Sequence, residues 1–392
     1  MDCERDIGSI ILPGHDPVLI ENKKRKIIPV CEPLLDGNEL KYVSACVKSN
    51  WISSAGDFIE RFEDAFKSCC NARYAIACSS GTAALHLALA ALGIKKGDEV
   101  IVPTFTMIAT ANAVRYLGGK PVLVDEDSST WNIDPGKIES AITKRTKAII
   151  PVHTYGLPAD MNVILSIARK HDLFVVEDAA EAHGAEYKGK RVGGIGDAAC
   201  FSFYGNKIIT TGEGGMITTN NKEIAKKTRI LRDHAFSKER HFWHKNLGYN
   251  YRMTNLQAAI GLAQTERFDK LVGIRIESAK YYNLLLKDIK GIRFPPVIAG
   301  LKNVYWMYSM LIEDGFGSTR DALRLYLAQK GIETRTFFIP IHLQPIYFKT
   351  YNRRFPVAKE LCQRGICLPS GATLTRKDIE YVSGCINTFN RK

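Results

Sequence analysis

Polar and ionisable residues stand at the ends of three short apolar runs in this sequence. Ser79–Thr82 follow the run "AIAC", Glu177 and Asp178 end "FVVED", and Lys207 follows "FSFYGN". Hydroxyls and free N–H groups at a helix start can bind an anion, and a buried carboxylate requires a cation. A desolvated lysine amine can form a Schiff base with an aldehyde. Together the three groups predict a site for a ligand that has an anion, a cationic nitrogen and a carbonyl carbon.

Each group also has an explanation that needs no ligand. Ser80 and Thr82 could cap the helix that follows, Asp178 could cap a helix over "AAEAHGA", and most lysines lie on solvated surfaces. No one of these explanations covers all three groups. A phosphate site, a carboxylate for a ring nitrogen and an amine for an aldehyde are what pyridoxal 5′-phosphate requires. We therefore interpret Lys207 as the residue that binds this cofactor covalently.

From about Asn71, strand-like runs alternate with helical ones. The predicted strands are the apolar segments "AIACSS", "EVIVP", "PVLVDED", "KAIIPVHTYG" and "LFVVEDAA". Apolar residues at helical spacing separate them, as in "TAALHLALAALGI" and "DMNVILSIARKHD". The alternation predicts an α/β fold with a largely parallel sheet covered on both faces. Because ligands of such sheets gather at the carboxyl ends of the strands, the three groups are expected to lie together.

The pattern changes after Asn220. The helical stretch "NKEIAKKTRILRDHA" is followed by a long run of apolar residues at helical spacing, which predicts a segment that bridges two domains. From about Gly291, short strands ("YWMYSMLIED") and a helix ("RDALRLYLAQKG") indicate a smaller α+β unit. The predicted organisation has three parts: an N-terminal extension compatible with disorder over residues 1–27, a large cofactor-binding domain over residues 28–265, and the bridging helix with a small C-terminal domain over residues 266–392.

The composition is that of an ordinary globular protein, with 45% hydrophobic and 24% charged residues in a chain of 392. No apolar run is long enough to cross a bilayer, and the N-terminus lacks the apolar core of a signal peptide. The ten cysteines form no Cys-x-x-Cys pair, and none lies at zinc-like spacing from histidines. We therefore expect reduced thiols, no metal site and a cytoplasmic protein without a membrane partner.

The net charge is +13, because 54 Lys and Arg residues outnumber 41 Asp and Glu residues. Such a charge suits an anionic partner, either a nucleic acid or a phosphorylated small molecule. The basic residues are spread along the chain without an arginine-rich tract, so we expect no nucleic-acid partner. Two rival classes of protein stay open. A nucleic-acid-binding protein would bind DNA or RNA in a salt-sensitive way and show no visible chromophore. A non-catalytic protein of the same fold would be expected to lack Lys207.

Around these residues the sequence resembles the sugar aminotransferases of the DegT/DnrJ/EryC1/StrS family. The resemblance runs from about Ile28 to the C-terminus. It is carried by six ordered motifs: "GDFIERFEDAF", "SSGTAALHLAL", "GDEVIVPTFTMIATANAV", "VEDAAEAHGA", "GDAACFSFYGNKIITTGEGGMITTN" and "GYNYRMTNLQAAIGLAQ". It implies the fold-type I (aspartate aminotransferase-like) architecture of PLP-dependent transferases, in which a large domain has a mostly parallel mixed sheet and a small C-terminal domain is α+β. It also implies pyridoxal 5′-phosphate as the cofactor.

Carried over position by position, the resemblance implies a role for each residue of the site. Lys207 would be the Schiff-base lysine and the acid–base group, and Asp178 would pair with the pyridine nitrogen. The cofactor phosphate would lie against Ser80, Gly81, Thr82 and Ser202. Asn250, in the "N-x-R-M" motif, would reach that phosphate from the other subunit, so the active site would be shared across a homodimer.

Two positions depart from the common family pattern. Glu181 stands where most members have a glutamine next to the cofactor's phenolic oxygen, and a carboxylate there needs a proton or a nearby cation. Met107 stands where an aromatic residue often stacks on the cofactor ring, and its thioether can pack on a ring face. The glutamate is shared with the perosamine-type members, and "WISSAGDFIE" and "GIETRTFFIPIH" are similar to the same subgroup. Lys207 argues against the relatives that dehydrate, which have a histidine at that position.

The resemblance implies transfer of the amino group of L-glutamate to C4 of a nucleotide-linked 4-keto-6-deoxy sugar, with GDP-4-keto-6-deoxymannose as the expected substrate and GDP-perosamine as the product. The alternative is a 4-aminotransferase for a UDP- or dTDP-linked ketosugar. Candidates for substrate contacts are five residues at cleft positions of the family: His153, Trp243, His244, Arg252 and Arg335. His153 could instead be a satisfied core residue, and Trp243 could pack in an interface. The planar guanidinium of either arginine would suit a diphosphate.

Overall fold

The computed structural model describes residues 27–237, 239–240, 242–348 and 354–391, and the predicted N-terminal extension lies almost wholly outside them. The strands of the described residues are β1 (Tyr74–Cys78), β2 (Glu99–Pro103), β3 (Lys120–Val124), β4 (Thr146–Ile149), β5 (Phe174–Asp178), β6 (Glu186–Tyr187), β7 (Lys190–Arg191), β8 (Ala198–Ser202), β9 (Gly215–Thr219), β10 (Ile292–Arg293), β11 (Leu301–Lys302), β12 (Tyr308–Ile312), β13 (Arg335–Thr336) and β14 (Gly365–Leu368).

The α-helices of the same residues are α1 (Glu39–Ser49), α2 (Asp57–Cys69), α3 (Gly81–Ala91), α4 (Ala109–Tyr116), α5 (Met161–Lys170), α6 (Lys222–Arg232), α7 (Asn255–Thr265), α8 (Phe268–Leu286), α9 (Arg320–Gln329), α10 (Pro356–Arg364) and α11 (Arg376–Asn390). Single 3₁₀ turns cover Pro135–Lys137, Glu139–Ala141, Thr154–Gly156, Asp314–Phe316 and Ile341–Leu343. Several helices begin at side-chain caps that satisfy their first N–H groups, such as Asp160 before α5 and Thr254 before α7.

The central sheet has seven strands in the order β1-β9-β8-β5-β4-β2-β3. Its middle is parallel, with β2 paired to β3 and β4, β4 to β5, and β5 to β8, whereas β9 runs antiparallel to β1 and β8. The five strands predicted from the sequence are all present, and the α/β class with a mostly parallel mixed sheet is confirmed. Because the parallel strands β5 and β8 are neighbours, the residues at their carboxyl ends lie side by side.

A second sheet, with the order β10-β12-β14-β13, is antiparallel throughout and belongs to the C-terminal part of the chain. A small third sheet pairs β11 with β6 and β6 with β7, so it joins the C-terminal part to the region of the central sheet. Ile28 pairs with Ile332, so the first described residues lie against the C-terminal unit. The predicted division of the chain into domains stays a prediction.

The long helical run predicted after Asn255 is two helices, because the chain bends at Glu266 and Arg267. Both side chains at the bend are held by the N-terminal segment. The carboxylate of Glu266 accepts hydrogen bonds from Asn38 and Tyr42, and the guanidinium of Arg267 donates to the carbonyl of Leu34. These tertiary contacts override the apolar periodicity, which is continuous through the bend.

Helix α8 contributes to both hydrophobic cores. Phe268, Leu271 and Val272 belong to the core around the central sheet. Tyr282 and Leu286 belong to the core of the C-terminal unit. The helix therefore fixes the C-terminal unit against the central sheet. Among the helices that the structure describes, none combines the length and apolarity needed to cross a lipid bilayer.

Candidate active site

Lys207 lies in the loop that follows β8. Its backbone N–H donates to the carbonyl of Tyr204 at 2.9 Å, and its amine lies 3.5 Å from the centroid of the Trp306 ring. Burial lowers the pKa of the Lys207 amine, although the carboxyl groups of Glu181 and Asp178 act in the opposite direction. A desolvated amine loses its proton more easily, as a nucleophile or a base requires.

Asp178 is the buried last residue of β5. Its Oδ2 accepts a hydrogen bond from the hydroxyl of Thr110 at 2.7 Å, and its Oδ1 accepts one from the N–H of Ala180 at 3.2 Å. Burial raises the pKa of Asp178, against the effect of these bonds and of the Lys207 charge. In the described part of the chain no cation forms an ion pair with this carboxyl. The chain turns after Asp178 instead of forming a helix, so the helix-cap alternative is wrong.

Glu177 precedes Asp178 in β5 and points to the opposite side of the strand. Its carboxylate accepts hydrogen bonds from His153 at 3.1 Å and from three backbone N–H groups, those of Gly193, Ile195 and Gly196. Burial would raise the pKa of Glu177, but these hydrogen bonds outweigh burial and lower it. Glu177 therefore holds a loop in place, and Asp178 is the carboxyl that faces the site.

His153 is fully buried, and both of its ring nitrogens are used inside the fold. Its Nδ1 accepts a hydrogen bond from the N–H of Ala159 at 3.0 Å. Nε2 therefore carries the hydrogen and donates a hydrogen bond to Glu177. Both ring nitrogens therefore have partners inside the fold, as the alternative of a satisfied core histidine requires. The predicted substrate contact of His153 stays a prediction.

Glu181 lies between Lys207 and the loop after β4. Its Oε2 accepts a hydrogen bond from the backbone N–H of Tyr155 at 2.7 Å. Burial raises the pKa of Glu181 to about 7, while the positive charge of Lys207 opposes the rise. This carboxyl therefore gains or loses its proton near neutral pH, and its titration is linked to the charge of the Lys207 amine.

We expect the raised pKa of Glu181 to make folding of the cofactor-free protein dependent on pH. The pKa in the unfolded chain is 4.5 and that in the folded chain about 7, so the folded state binds more protons between these values. The free energy of unfolding of the parent therefore falls as the pH rises through this window. In Glu181→Gln, which lacks the titrating carboxyl, we expect this fall to be smaller by about 1–3 kcal/mol. Denaturant unfolding at several pH values measures the difference. Glu213→Gln, at an exposed position, is the control and should match the parent; an unchanged pH dependence in Glu181→Gln would contradict the prediction.

The predicted phosphate cradle is formed by the start of α3 and the end of β8. Ser80 caps α3 by accepting a hydrogen bond from the N–H of Ala83 at 3.1 Å, so the capping role is real for this residue. The N–H groups of Gly81 and Thr82 donate to no acceptor among the described residues, and the helix dipole favours an anion in front of them. A Cβ on Gly81 would lie 2.8 Å from the Cβ of Ser202. The space between them stays open because residue 81 is glycine.

Met107 lies just before α4 and its side chain is 53% exposed. Its carbonyl accepts a hydrogen bond from the N–H of Thr110 at 3.2 Å, and Thr110 in turn donates to Asp178. Thr110 therefore links this turn of the chain to the carboxyl of the site. Its predicted stacking on a cofactor ring stays a prediction.

Four of the predicted site residues lie between residues 243 and 252: Trp243, His244, Asn250 and Arg252. The guanidinium of Arg252 donates to the side-chain oxygen of Asn250 at 2.8 Å and to Asp233 at 2.9 Å, and His244 Nδ1 lies 2.8 Å from the carbonyl of His234. Within the described ranges no hydrogen bond or ion pair joins the four to Lys207. Their predicted roles stay predictions.

Arg335 lies on β13 with an exposed side chain. Its positive charge contributes to the lowered pKa of Lys207, so the guanidinium lies within electrostatic range of the amine. Among the residues that the structure describes, it makes no side-chain hydrogen bond and no ion pair. Arg335 is therefore the cation of the predicted substrate set that the chain itself brings near the site.

Three residues that line the site were not predicted from the sequence. Thr110 holds Asp178, Tyr155 holds Glu181, and Trp306 covers the amine of Lys207. Tyr155 follows β4 in "HTYG", so its place at the end of a strand was a signal that could have found it. Trp306 comes from the C-terminal unit, far away in sequence, and nothing local marks it.

These features fit pyridoxal 5′-phosphate. Asp178 is a buried carboxyl with no ion-pair partner among the described residues, and a protonated ring nitrogen would supply one. Gly81 and Thr82 present unpaired N–H groups at a helix start, which a phosphate would satisfy. Lys207 offers a desolvated amine for the aldehyde. In the described residues no cluster of His, Cys, Asp and Glu could hold a metal ion.

Comparison with known proteins gives consistent matches over nearly the whole chain. Residues 33–387 match the model of the DegT/DnrJ/EryC1/StrS aminotransferase family. The GDP-perosamine synthase of Caulobacter vibrioides is 49% identical over 361 residues, which cover 92% of this chain and 97% of that protein. The GDP-perosamine synthase of Escherichia coli O157:H7 is 46% identical over 364 residues, which cover 93% and 99%. Among solved structures, Helicobacter pylori PseC, an aminotransferase involved in the biosynthesis of pseudoaminic acid, matches with a TM-score of 0.89 at 28% identity and covers 93% of this chain and 100% of its own.

Proposed function

Because the chain belongs to the DegT/DnrJ/EryC1/StrS aminotransferase family, we propose that it transfers the amino group of L-glutamate to C4 of GDP-4-keto-6-deoxymannose and so forms GDP-perosamine. Its cofactor is pyridoxal 5′-phosphate. One feature of the geometry carries the proposal of amino transfer: the buried amine of Lys207 beside the carboxyl groups of Glu181 and Asp178. The choice of sugar is supported by the two GDP-perosamine synthases, which share nearly half of the aligned residues.

The cofactor, when bound, supplies an aldehyde that bonds to amines and a cationic ring that withdraws electrons from the bonded carbon. Asp178 would hold the proton on the ring nitrogen, and Thr110 would keep this carboxyl in place. The N–H groups of Gly81 and Thr82 would bind the phosphate. The neutral amine of Lys207 would take the proton from the α-carbon of glutamate, because burial keeps its pKa low.

The proposed enzyme is a homodimer whose active sites are shared. Three apolar side chains on one segment are largely exposed in the single chain, those of Phe242, Trp243 and Leu247, and such a cluster is typical of an interface. Asn250 is exposed on the same segment, so the partner subunit's Asn250 could reach the phosphate. Light scattering should give twice the mass of one chain.

We also propose a cytoplasmic location. The nine cysteines in the described part of the chain are all free, and free thiols persist in reducing compartments. Nucleotide-linked sugars and glutamate would be the small-molecule partners there. The fraction of the protein that is released with cytoplasmic markers on gentle lysis tests the location.

A substrate panel tests the proposed reaction. The purified protein is loaded with pyridoxal 5′-phosphate and mixed with L-glutamate and the GDP-, UDP- or dTDP-linked 4-keto-6-deoxyhexose. We expect 2-oxoglutarate and an amino sugar with the GDP-linked compound only, at a kcat/KM at least about 100-fold above the others, because lost base contacts leave buried polar groups unpaired. Preference for a UDP- or dTDP-linked substrate would overturn the choice of nucleotide and leave amino transfer intact.

A further inference from the structure

The indole ring of Trp306 lies directly against the amine of Lys207. Its ring centroid lies 3.5 Å from the lysine nitrogen, and the residue is only 6% exposed. An aromatic ring at this distance occupies space that water would otherwise fill. The tryptophan comes from the C-terminal unit, at the junction just before β12, so the two parts of the fold meet at the amine.

The position of this ring is fixed on several sides. The indole Nε1–H donates to the carbonyl of Asn206 at 3.0 Å, and the thiol of Cys31 donates to the same carbonyl at 3.2 Å. The buried guanidinium of Arg275 contacts the Cys31 sulfur at 3.1 Å and the carbonyl of Trp306 at 3.3 Å. These bonds form a closed ring that joins the residue before Lys207 to the tryptophan.

The indole also packs against a second aromatic ring. Its ring stacks on Tyr155 with centroids 6.1 Å apart at 21°, and Tyr155 stacks on Phe338 at 5.3 Å and 6°. The backbone N–H of Trp306 donates to the carbonyl of Tyr155 at 3.1 Å. The indole therefore cannot turn away from Lys207 without breaking this stack.

Charged and titratable groups face the amine from the other directions. The pKa of the amine is affected by the carboxyl groups of Glu181 and Asp178, the thiol of Cys31 and the guanidinium of Arg335. The charge of the amine in turn lowers the pKa of the His183 imidazole. With two carboxyl groups so close, a hydrated ammonium would keep its proton. A group that excludes water from the amine therefore favours its neutral form against these carboxyl groups.

We propose that Trp306 is a positioning residue that keeps water from the amine of Lys207 and so holds it neutral and in place for the reaction. The proposal rests on the proposed role of Lys207 in amino transfer. An aromatic face attracts an ammonium ion, but it solvates the charge less well than the water it displaces. The covering ring therefore favours the neutral amine, while the indole N–H fixes the backbone next to it.

Two variants separate the ring face from the N–H group. Trp306→Phe keeps an aromatic face over the amine and loses the bond to Asn206, whereas Trp306→Leu loses both. The cofactor-free protein is labelled competitively with acetic anhydride over a range of pH, and the peptide that contains Lys207 is measured by mass spectrometry. We expect the pH of half-maximal labelling to rise by about one unit in Trp306→Leu and to stay within about 0.3 unit of the parent in Trp306→Phe.

Trp131→Leu is the matched control, because Trp131 is buried in the core without contact to Lys207. It should lower the stability and leave the labelling of Lys207 unchanged. A midpoint in Trp306→Leu that is unchanged or lower than in the parent would overturn the proposal. The labelling does not depend on turnover. Failure of the proposed function would appear separately, as an absence of cofactor bound to Lys207 after borohydride reduction.

Discussion

We expect the variant Lys207→Ala to lose amino transfer to every ketosugar, with a fall in kcat of at least about 10³-fold. The variant lacks both the amine that bonds to the cofactor and the base that moves the proton of glutamate. The carboxyl groups of Glu181 and Asp178 cannot substitute, because a carboxylate cannot form an imine with the cofactor's aldehyde. The initial rate of 2-oxoglutarate formation measures the effect.

Borohydride reduction followed by peptide mass analysis gives an independent readout of the same variant. The parent should carry the reduced cofactor on the peptide that contains Lys207, and Lys207→Ala should carry none. Lys222→Ala, at the exposed start of α6, is the matched control and should keep both activity and the adduct. Substantial turnover by Lys207→Ala would remove this residue from its assigned role.

The second large effect is expected from Asp178→Asn, which should lower kcat by about 10²-fold or more. The amide has nearly the same shape and can still accept the hydrogen bond from Thr110. However, it has no negative charge, so it cannot hold a proton on the ring nitrogen, and the ring then withdraws electrons poorly. Stopped-flow measurement of the half-reaction with glutamate separates this step from binding of the sugar.

Glu177→Gln is the contrasting control for Asp178→Asn, since the two carboxyl groups are neighbours on opposite sides of one strand. It should weaken the hold on the loop at Gly193–Gly196 and on His153, and lower the free energy of unfolding by about 1–3 kcal/mol. The visible absorption of the bound cofactor should be unchanged in Glu177→Gln and shifted in Asp178→Asn. The reverse outcome would show that the roles of the two residues are exchanged.

The fold was predictable wherever one local pattern decided it. The parallel strands β2 to β5 are short apolar runs between helical segments, and their order places Asp178 and the Lys207 loop at one edge of the sheet. The break between α7 and α8 was not predictable, because the apolar spacing continues through Glu266 and Arg267. The bend arises from contacts with Asn38, Tyr42 and Leu34, which are distant in sequence.

Some residues of the site could also be predicted from local sequence, and others could not. Ser80, Gly81, Asp178 and Lys207 could be found because each stands at the end of a strand or shortly after one. Residue type alone did not distinguish Glu177 from Asp178, and only the family resemblance assigned the ring nitrogen to Asp178. Which of the two side chains faces the site depends on how β5 lies in the sheet. The partners of His153 could not be found either, because Ala159 and Glu177 come from separate turns of the chain, and only the fold shows that both ring nitrogens are used.

The position of helix α8 determines how the protein unfolds. Since one end of this helix closes the core of the central sheet and the other end closes the core of the C-terminal unit, neither half can melt without exposing apolar surface of the other. A truncation at the predicted boundary near residue 266 would leave the first fragment without Phe268, Leu271 and Val272. Denaturation of the intact chain should therefore be one cooperative transition, and the fragments should be insoluble when produced alone.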